Sequence, residues 1–74
     1  MLPAIILIMN IILNGKPITI QESLSVTSFL KEMDISPIGI AIAINESICP
    51  KKQWNDYALK NADQVLIIQA TQGG

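Results

Sequence analysis

The chain has 74 residues, of which 50% are hydrophobic and 15% charged, with a formal net charge of −1. That length bounds it to one small domain, the apolar content excludes a disordered tail, and the near-balanced charge excludes an electrostatic footprint for nucleic acid. With 1 Phe, 1 Trp and 1 Tyr, the core has to be built from Ile, Leu and Val, which favours β-structure.

Residues 1–13 are almost wholly apolar, broken by Pro3 and Asn10. They lack the cationic leader and small-residue cleavage site of a signal peptide, and fall short of the ~20 apolar residues of a membrane span. No membrane association is expected. Met9-Asn10 reads as the start of the first strand, with residues 1–8 as an upstream extension of it or a start-site artefact in preference to an anchor. The strand ends at Asn14-Gly15, a dipeptide that accepts the positive φ of a type I′ hairpin turn. Residues 16–21 return as a second strand, with Ile18 and Ile20 on one face and Thr19 and Gln21 on the other.

A helix follows. Val26, Phe29, Leu30 and Met33 recur at i, i+3, i+4 and i+7 and form one apolar stripe for the core. Ser25 is the expected N-cap, Leu24 and Phe29 the two halves of a hydrophobic staple. Asp34 opposes the dipole at the far end, and Ser36-Pro37 is expected to stop the helix. Ile40, Ile42 and Ile44 then share one face of a strand whose other face is flattened by Ala41 and Ala43. Asn45-Glu46-Ser47 turns the chain into a short edge strand, Ile48-Cys49-Pro50, because Pro50 cannot donate to a ladder. Residues 51–60 read as irregular or a single turn anchored by Trp54, Tyr57 and Leu59, and Asn61-Ala62-Asp63 as another turn. The apolar run 65–68 reads as a central strand buried on both faces.

This order predicts an α+β fold: a ubiquitin-like β-grasp, a mixed sheet of four to five strands packed on one helix, with the last strand inserted centrally beside the first. The expected organisation is an apolar extension over residues 1–8, a β-grasp domain over 9–70, and a flexible tail over 71–74.

The inventory for catalysis is poor. There are 0 His, hence no ordinary general base near neutral pH and no imidazole ligand. No Cys-x-x-Cys pattern points to zinc, there is no glycine-rich phosphate loop, and the 6 carboxylates are scattered along the chain. No catalytic residue, metal site or bound cofactor is expected. The single cysteine, Cys49, permits no internal disulfide, so a reducing, cytoplasmic setting is the default. Its place between Ile48 and Pro50 suits a small buried hydrophobe; the neighbouring Lys51 and Lys52 leave a reactive thiol open.

The tail stands apart. After Ile68 the chain carries Gln69-Ala70-Thr71-Gln72-Gly73-Gly74 and nothing bulky. A terminal carboxylate with a pKa near 3.5 is ionised and a poor electrophile, so it reacts only after activation by another enzyme. Glycine lacks the Cβ that would clash in a narrow channel and adopts extended or left-handed angles alike. Gly74 is the candidate attachment residue, with Thr71, Gln72 and Gly73 as the part that enters a partner's channel.

Three segments carry a family resemblance: the opening strand with Asn14-Gly15, the stretch Ala41-Ile42-Ala43-Ile44-Asn45 leading to Cys49-Pro50-Lys51-Lys52-Gln53-Trp54, and Ala62-Asp63-Gln64-Val65 running into Gly73-Gly74. From Met9 onward the chain resembles the ThiS family of sulfur carriers in thiamin-thiazole biosynthesis, and the Asn45–Pro50–Trp54 spacing is the most specific element. It departs mildly at Cys49, where the family has an aliphatic residue, after Pro50, where an arginine is frequent, and at Ala62, where the family favours glycine before aspartate. The resemblance implies a carrier that is a co-substrate rather than an enzyme. A ThiF-like E1 adenylyltransferase with Mg-ATP would adenylate Gly74. A sulfurtransferase or cysteine desulfurase would supply persulfide sulfur to form a thiocarboxylate, and a ThiG-like thiazole synthase would accept it. An apolar sheet face would dock these partners; Ala41 and Ala43 belong either to that face or to the core. The small subunit of molybdopterin synthase (MoaD-like) shares the fold and tail but usually lacks the Pro50-to-Trp54 pattern. A ubiquitin-like protein modifier and a noncovalent interaction module are the remaining alternatives.

Overall fold

The computed structural model describes residues 8–20 and 23–69. Five strands and one α-helix follow in the order β1 (Met9–Leu13), β2 (Lys16–Ile20), α1 (Val26–Glu32), β3 (Ile40–Ile44), β4 (Ser47–Ile48) and β5 (Gln64–Gln69), with a 3-10 turn at Lys51–Gln53. The sheet order is β2-β1-β5-β3-β4. The last strand is therefore central, parallel to β1 and antiparallel to β3. This is the mixed β-grasp sheet that the element order predicts.

Both hairpins turn through left-handed residues. Asn14 and Gly15 have φ of 49° and 83°, and Asn45 and Glu46 have 52° and 72°. Positive φ at both central positions is the requirement of a type I′ turn, whose twist matches the flanking strands. The second hairpin meets it without glycine.

The helix begins as its sequence dictates. Ser25 is extended, and its Oγ accepts from the Ser28 N–H at 3.1 Å. Its end differs from expectation. The helix stops at Glu32, before Ser36-Pro37, because Asp34 enters the left-handed region with φ 57°. The Asp34 N–H donates to the Lys31 carbonyl and the Ile35 N–H to the Leu30 carbonyl. That pair of bonds is a Schellman closure, with aspartate in the place usually held by glycine. Met33 consequently leaves the stripe: it caps the helix and is 39% exposed, while Val26, Phe29 and Leu30 remain buried.

One core results. The helix stripe packs with Ile11, Ile20, Ile42, Ile44, Cys49, Trp54, Leu59 and Val65, with Met9, Ile18, Ile40 and Ile67 partly buried around them. The cross-strand partners Ile11↔Ile18, Ile44↔Val65 and Ile42↔Ile67 put these residues on one face. The expectation that β5 is buried on both faces is therefore wrong. Among the described residues only one α-helix is available, and it covers one side; Leu66 and Ile68 point to the other and are 48% and 46% exposed.

Smaller corrections concern the edges. The edge strand is Ser47–Ile48, and Cys49 lies just beyond it, though its N–H still donates to the Ile42 carbonyl at 2.8 Å. The second strand closes at Ile20, and Gln21 lies outside the described residues. Tyr57 and Leu59 anchor the long connection as expected, and Trp54 is fixed by its indole N–H donating to the Cys49 carbonyl at 2.8 Å.

Candidate functional site

The candidate attachment residue Gly74 and the channel residues Thr71, Gln72 and Gly73 lie outside the described residues, as do residues 1–7 of the N-terminal extension. The structure shows what holds the strand that leads to them. On one side, β3 pairs with β5 as far as Ile40↔Gln69. On the other, β1 pairs only up to Leu13↔Val65. There Asn14 takes over: its backbone N–H donates to the Val65 carbonyl at 2.9 Å, and its side-chain Oδ1 accepts from the Ile67 N–H at 2.7 Å. Asn14 thus has two roles, turning the hairpin and clamping the outgoing strand, of which sequence spacing reveals only the first.

The start of β5 is anchored as firmly. The Asp63 carboxylate is buried, 5% exposed, and accepts from Asn45 Nδ2 at 2.9 Å, Tyr57 Oη at 3.2 Å and the Lys60 N–H at 2.8 Å. Asn45 Oδ1 in turn accepts from the Gln64 N–H at 2.9 Å. Among the described residues no buried side-chain polar atom lacks a partner. Burial, and then the charge and hydrogen bond of Asp63, push the Tyr57 phenol above the usual tyrosine range.

Ala62, immediately before this aspartate, has φ 73°. Glycine adopts that conformation without a Cβ penalty, which gives the physical reason for a Gly-Asp preference at this turn.

Away from the helix, the sheet presents an apolar surface. Leu66 lies across from Ala43, Ala43 across from Ile48, and Ile68 across from Ala41. Ile48 is 66% exposed. Beside this row, between the two hairpin turns, is a hollow of about 210 Å³ lined by Ile12, Gly15, Ala43, Glu46, Gln64 and Leu66. The sequence leaves Ala41 and Ala43 open between this face and the core, and its local pattern gives no sign of Leu66 and Ile68 on it. The available signal was topological: four apolar residues in a row need two covering layers, and the sequence pattern offers one amphipathic helix.

No feature of the described residues offers chemistry of its own. Cys49 is buried, and burial raises its pKa, which disfavours the nucleophilic thiolate. Among the described residues no group of three or more His, Cys, Asp or Glu side chains could hold a metal ion. No helix among them is long and apolar enough to cross a membrane.

Fold and surface together define a ubiquitin-like β-grasp domain with an apolar face beside its outgoing strand. The ThiS family model matches residues 11–74. The chain is 32% identical over 66 residues to the sulfur carrier protein ThiS of Escherichia coli, covering 89% of this chain and 100% of that one. It is also 32% identical over 65 residues to the uncharacterized protein ycf40 of Porphyra purpurea, covering 88% and 92% respectively. The crystal structure of the thiamine biosynthesis protein ThiS from Geobacter metallireducens superposes with a TM-score of 0.79 at 28% identity, covering 89% of this chain and 100% of that one. The chain belongs to the ThiS family.

Proposed function

We infer that this protein is a sulfur carrier of thiamin biosynthesis that works as a co-substrate of its partner enzymes rather than as a catalyst. The observation that carries this reading is the match to the whole length of the Escherichia coli sulfur carrier protein ThiS. The anchored β5 and the open apolar face support it.

In this reading residues 9–70 form the carrier domain and residues 71–74 its reactive tail. The Gly74 carboxylate attacks the α-phosphorus of Mg-ATP in a ThiF-like E1 enzyme and pyrophosphate leaves, giving an acyl-adenylate. The terminal sulfur of a persulfide, supplied through a cysteine desulfurase or sulfurtransferase, attacks the acyl carbon and AMP leaves. A partner thiol then cleaves the acyl disulfide, forming its own disulfide and releasing the thiocarboxylate. A ThiG-like thiazole synthase takes the sulfur. ATP and Mg²⁺ belong to the E1 partner, the carrier binds no cofactor, and the cycle runs in the cytoplasm. Docking falls to Ile48, Leu66 and Ile68, whose exposed apolar area offers about 25 cal/mol per Å² when a partner covers it. Gly73 and Gly74 then thread a channel too narrow for side chains.

Intact-mass spectrometry after incubation with the E1, ATP and a sulfur donor tests the reading. The expected product has one oxygen exchanged for sulfur at Gly74, and neither deletion of Gly74 nor a residue added after it permits that exchange. Transfer retained in a C-terminally extended protein would sink the proposal. Rescue of a thiazole auxotroph is the expected pathway result; rescue only of a molybdopterin-deficient strain would reassign the carrier.

A further inference from the structure

The helix side of the molecule carries a second hollow, of about 290 Å³, between α1, the loop after it and the 3-10 turn. Leu30, Ile35, Pro37 and Trp54 supply its apolar lining, and Lys31 and Lys51 stand among them. The walls are held by backbone hydrogen bonds. The Thr27 N–H donates to the Trp54 carbonyl at 3.1 Å and the Ile35 N–H to the Leu30 carbonyl at 2.9 Å. Lys51 Nζ lies 5.9 Å from the centroid of the Trp54 ring, within reach of a cation–π attraction that keeps the ammonium over the groove.

Charge and size narrow the occupant. The chain as a whole has 6 acids against 5 lysines, yet no carboxylate lines this groove. Glu32, Asp34 and Asp56 are close in sequence but outside the lining. The volume falls just under the roughly 300–1,000 Å³ of small-molecule sites, and Thr27 and Asn55 are the uncharged polar residues of the groove's lining. It suits an aliphatic side chain of an extended segment, with a carboxylate on either side for the two lysines.

We propose that this groove docks a short acidic segment of a partner protein, seating an aliphatic side chain against Ile35 and Pro37 between Lys31 and Lys51. The groove is on the helix side, so it stays open while the opposite sheet face is engaged. A partner can hold the carrier there while another works on its C-terminus. The proposal stands independently of the sulfur-carrier reading.

Titration of the ¹⁵N-labelled full chain with the peptide acetyl-Asp-Leu-Glu-Leu-Asp-amide tests it, with the Asn/Gln and all-Lys counterparts as controls. Saturable shifts at Leu30, Lys31, Ile35 and the Trp54 indole are expected, with a matching change in the fluorescence of the single tryptophan. Binding should weaken with salt and fall about tenfold in the double variant Lys31→Glu/Lys51→Glu. Lys31→Gln/Lys51→Gln, which removes charge without reversing it, should show the same trend if the reversal perturbs folding. Equal binding of the neutral peptide, shifts confined to Leu66 and Ile68, or no saturable shift would each overturn the proposal.

Discussion

Ala62 and Asp63 show how much a single turn can carry. Ala62 occupies left-handed backbone at φ 73°, where an L side chain crowds the following carbonyl. Ala62→Gly should stabilise the domain by about 1 kcal/mol, read as a higher urea midpoint at constant slope. Asp63→Ala acts the other way: it strands the Tyr57 hydroxyl, the Asn45 amide and the Lys60 N–H, and should cost about 2–3 kcal/mol. The same network sets a pH dependence. Folding raises the Tyr57 pKa above its ordinary value of 10.0, so the folded state holds the phenol proton more tightly than the unfolded chain. That contribution is complete below pH 10.0 and is lost as the pH climbs through the raised folded pKa. Ultraviolet titration of phenolate should therefore lag in the native protein and return to the normal range on denaturation; a native curve centred at the ordinary value would refute it. Asp63 escapes sequence reading because its three donors come from Asn45, Tyr57 and Lys60, which only the fold assembles.

At the scale of elements, α1 is the weakest in isolation. It has seven residues, fewer than two full turns, and helices shorter than about 12 residues are marginal alone in water. Its termini and its packing therefore decide its existence. Ser25→Ala removes the side-chain acceptor of the Ser28 N–H and should cost about 1 kcal/mol, measurable as a lower urea midpoint. The cap was legible because serine stands directly before the apolar stripe. The C-terminus was not, since an aspartate in left-handed backbone has no distinctive spacing, whereas Ser36-Pro37 offers a louder stop signal further on. The strands divide the same way. Asn14-Gly15 announces its turn, while Asn45-Glu46 reaches the same geometry without the glycine that normally marks it.

At the scale of the molecule, the decisive fact among the described residues is one α-helix against a five-stranded sheet. One face becomes the core, and the other leaves Ile48, Leu66 and Ile68 exposed. Leu66→Glu/Ile68→Glu should leave the fold intact, because both side chains are about half exposed, yet lower E1-dependent loading by at least about tenfold through lost docking. Circular dichroism and the loading assay separate those two outcomes. Loading at the original rate would remove the open face from the proposed docking role.

The sequence determined the kinds of elements and their order, because side-chain periodicity and turn chemistry are local properties, and that order fits the β-grasp topology in which the last strand is central. It also exposed the poverty of catalytic groups and singled out Gly74 as the candidate attachment residue. Which face of β5 is covered, how Asn14 and Asp63 anchor that strand, and how Lys31 and Lys51 come to line one hollow were decided only in three dimensions. Each depends on contacts between residues distant in the chain, and no local pattern encodes which of them will meet.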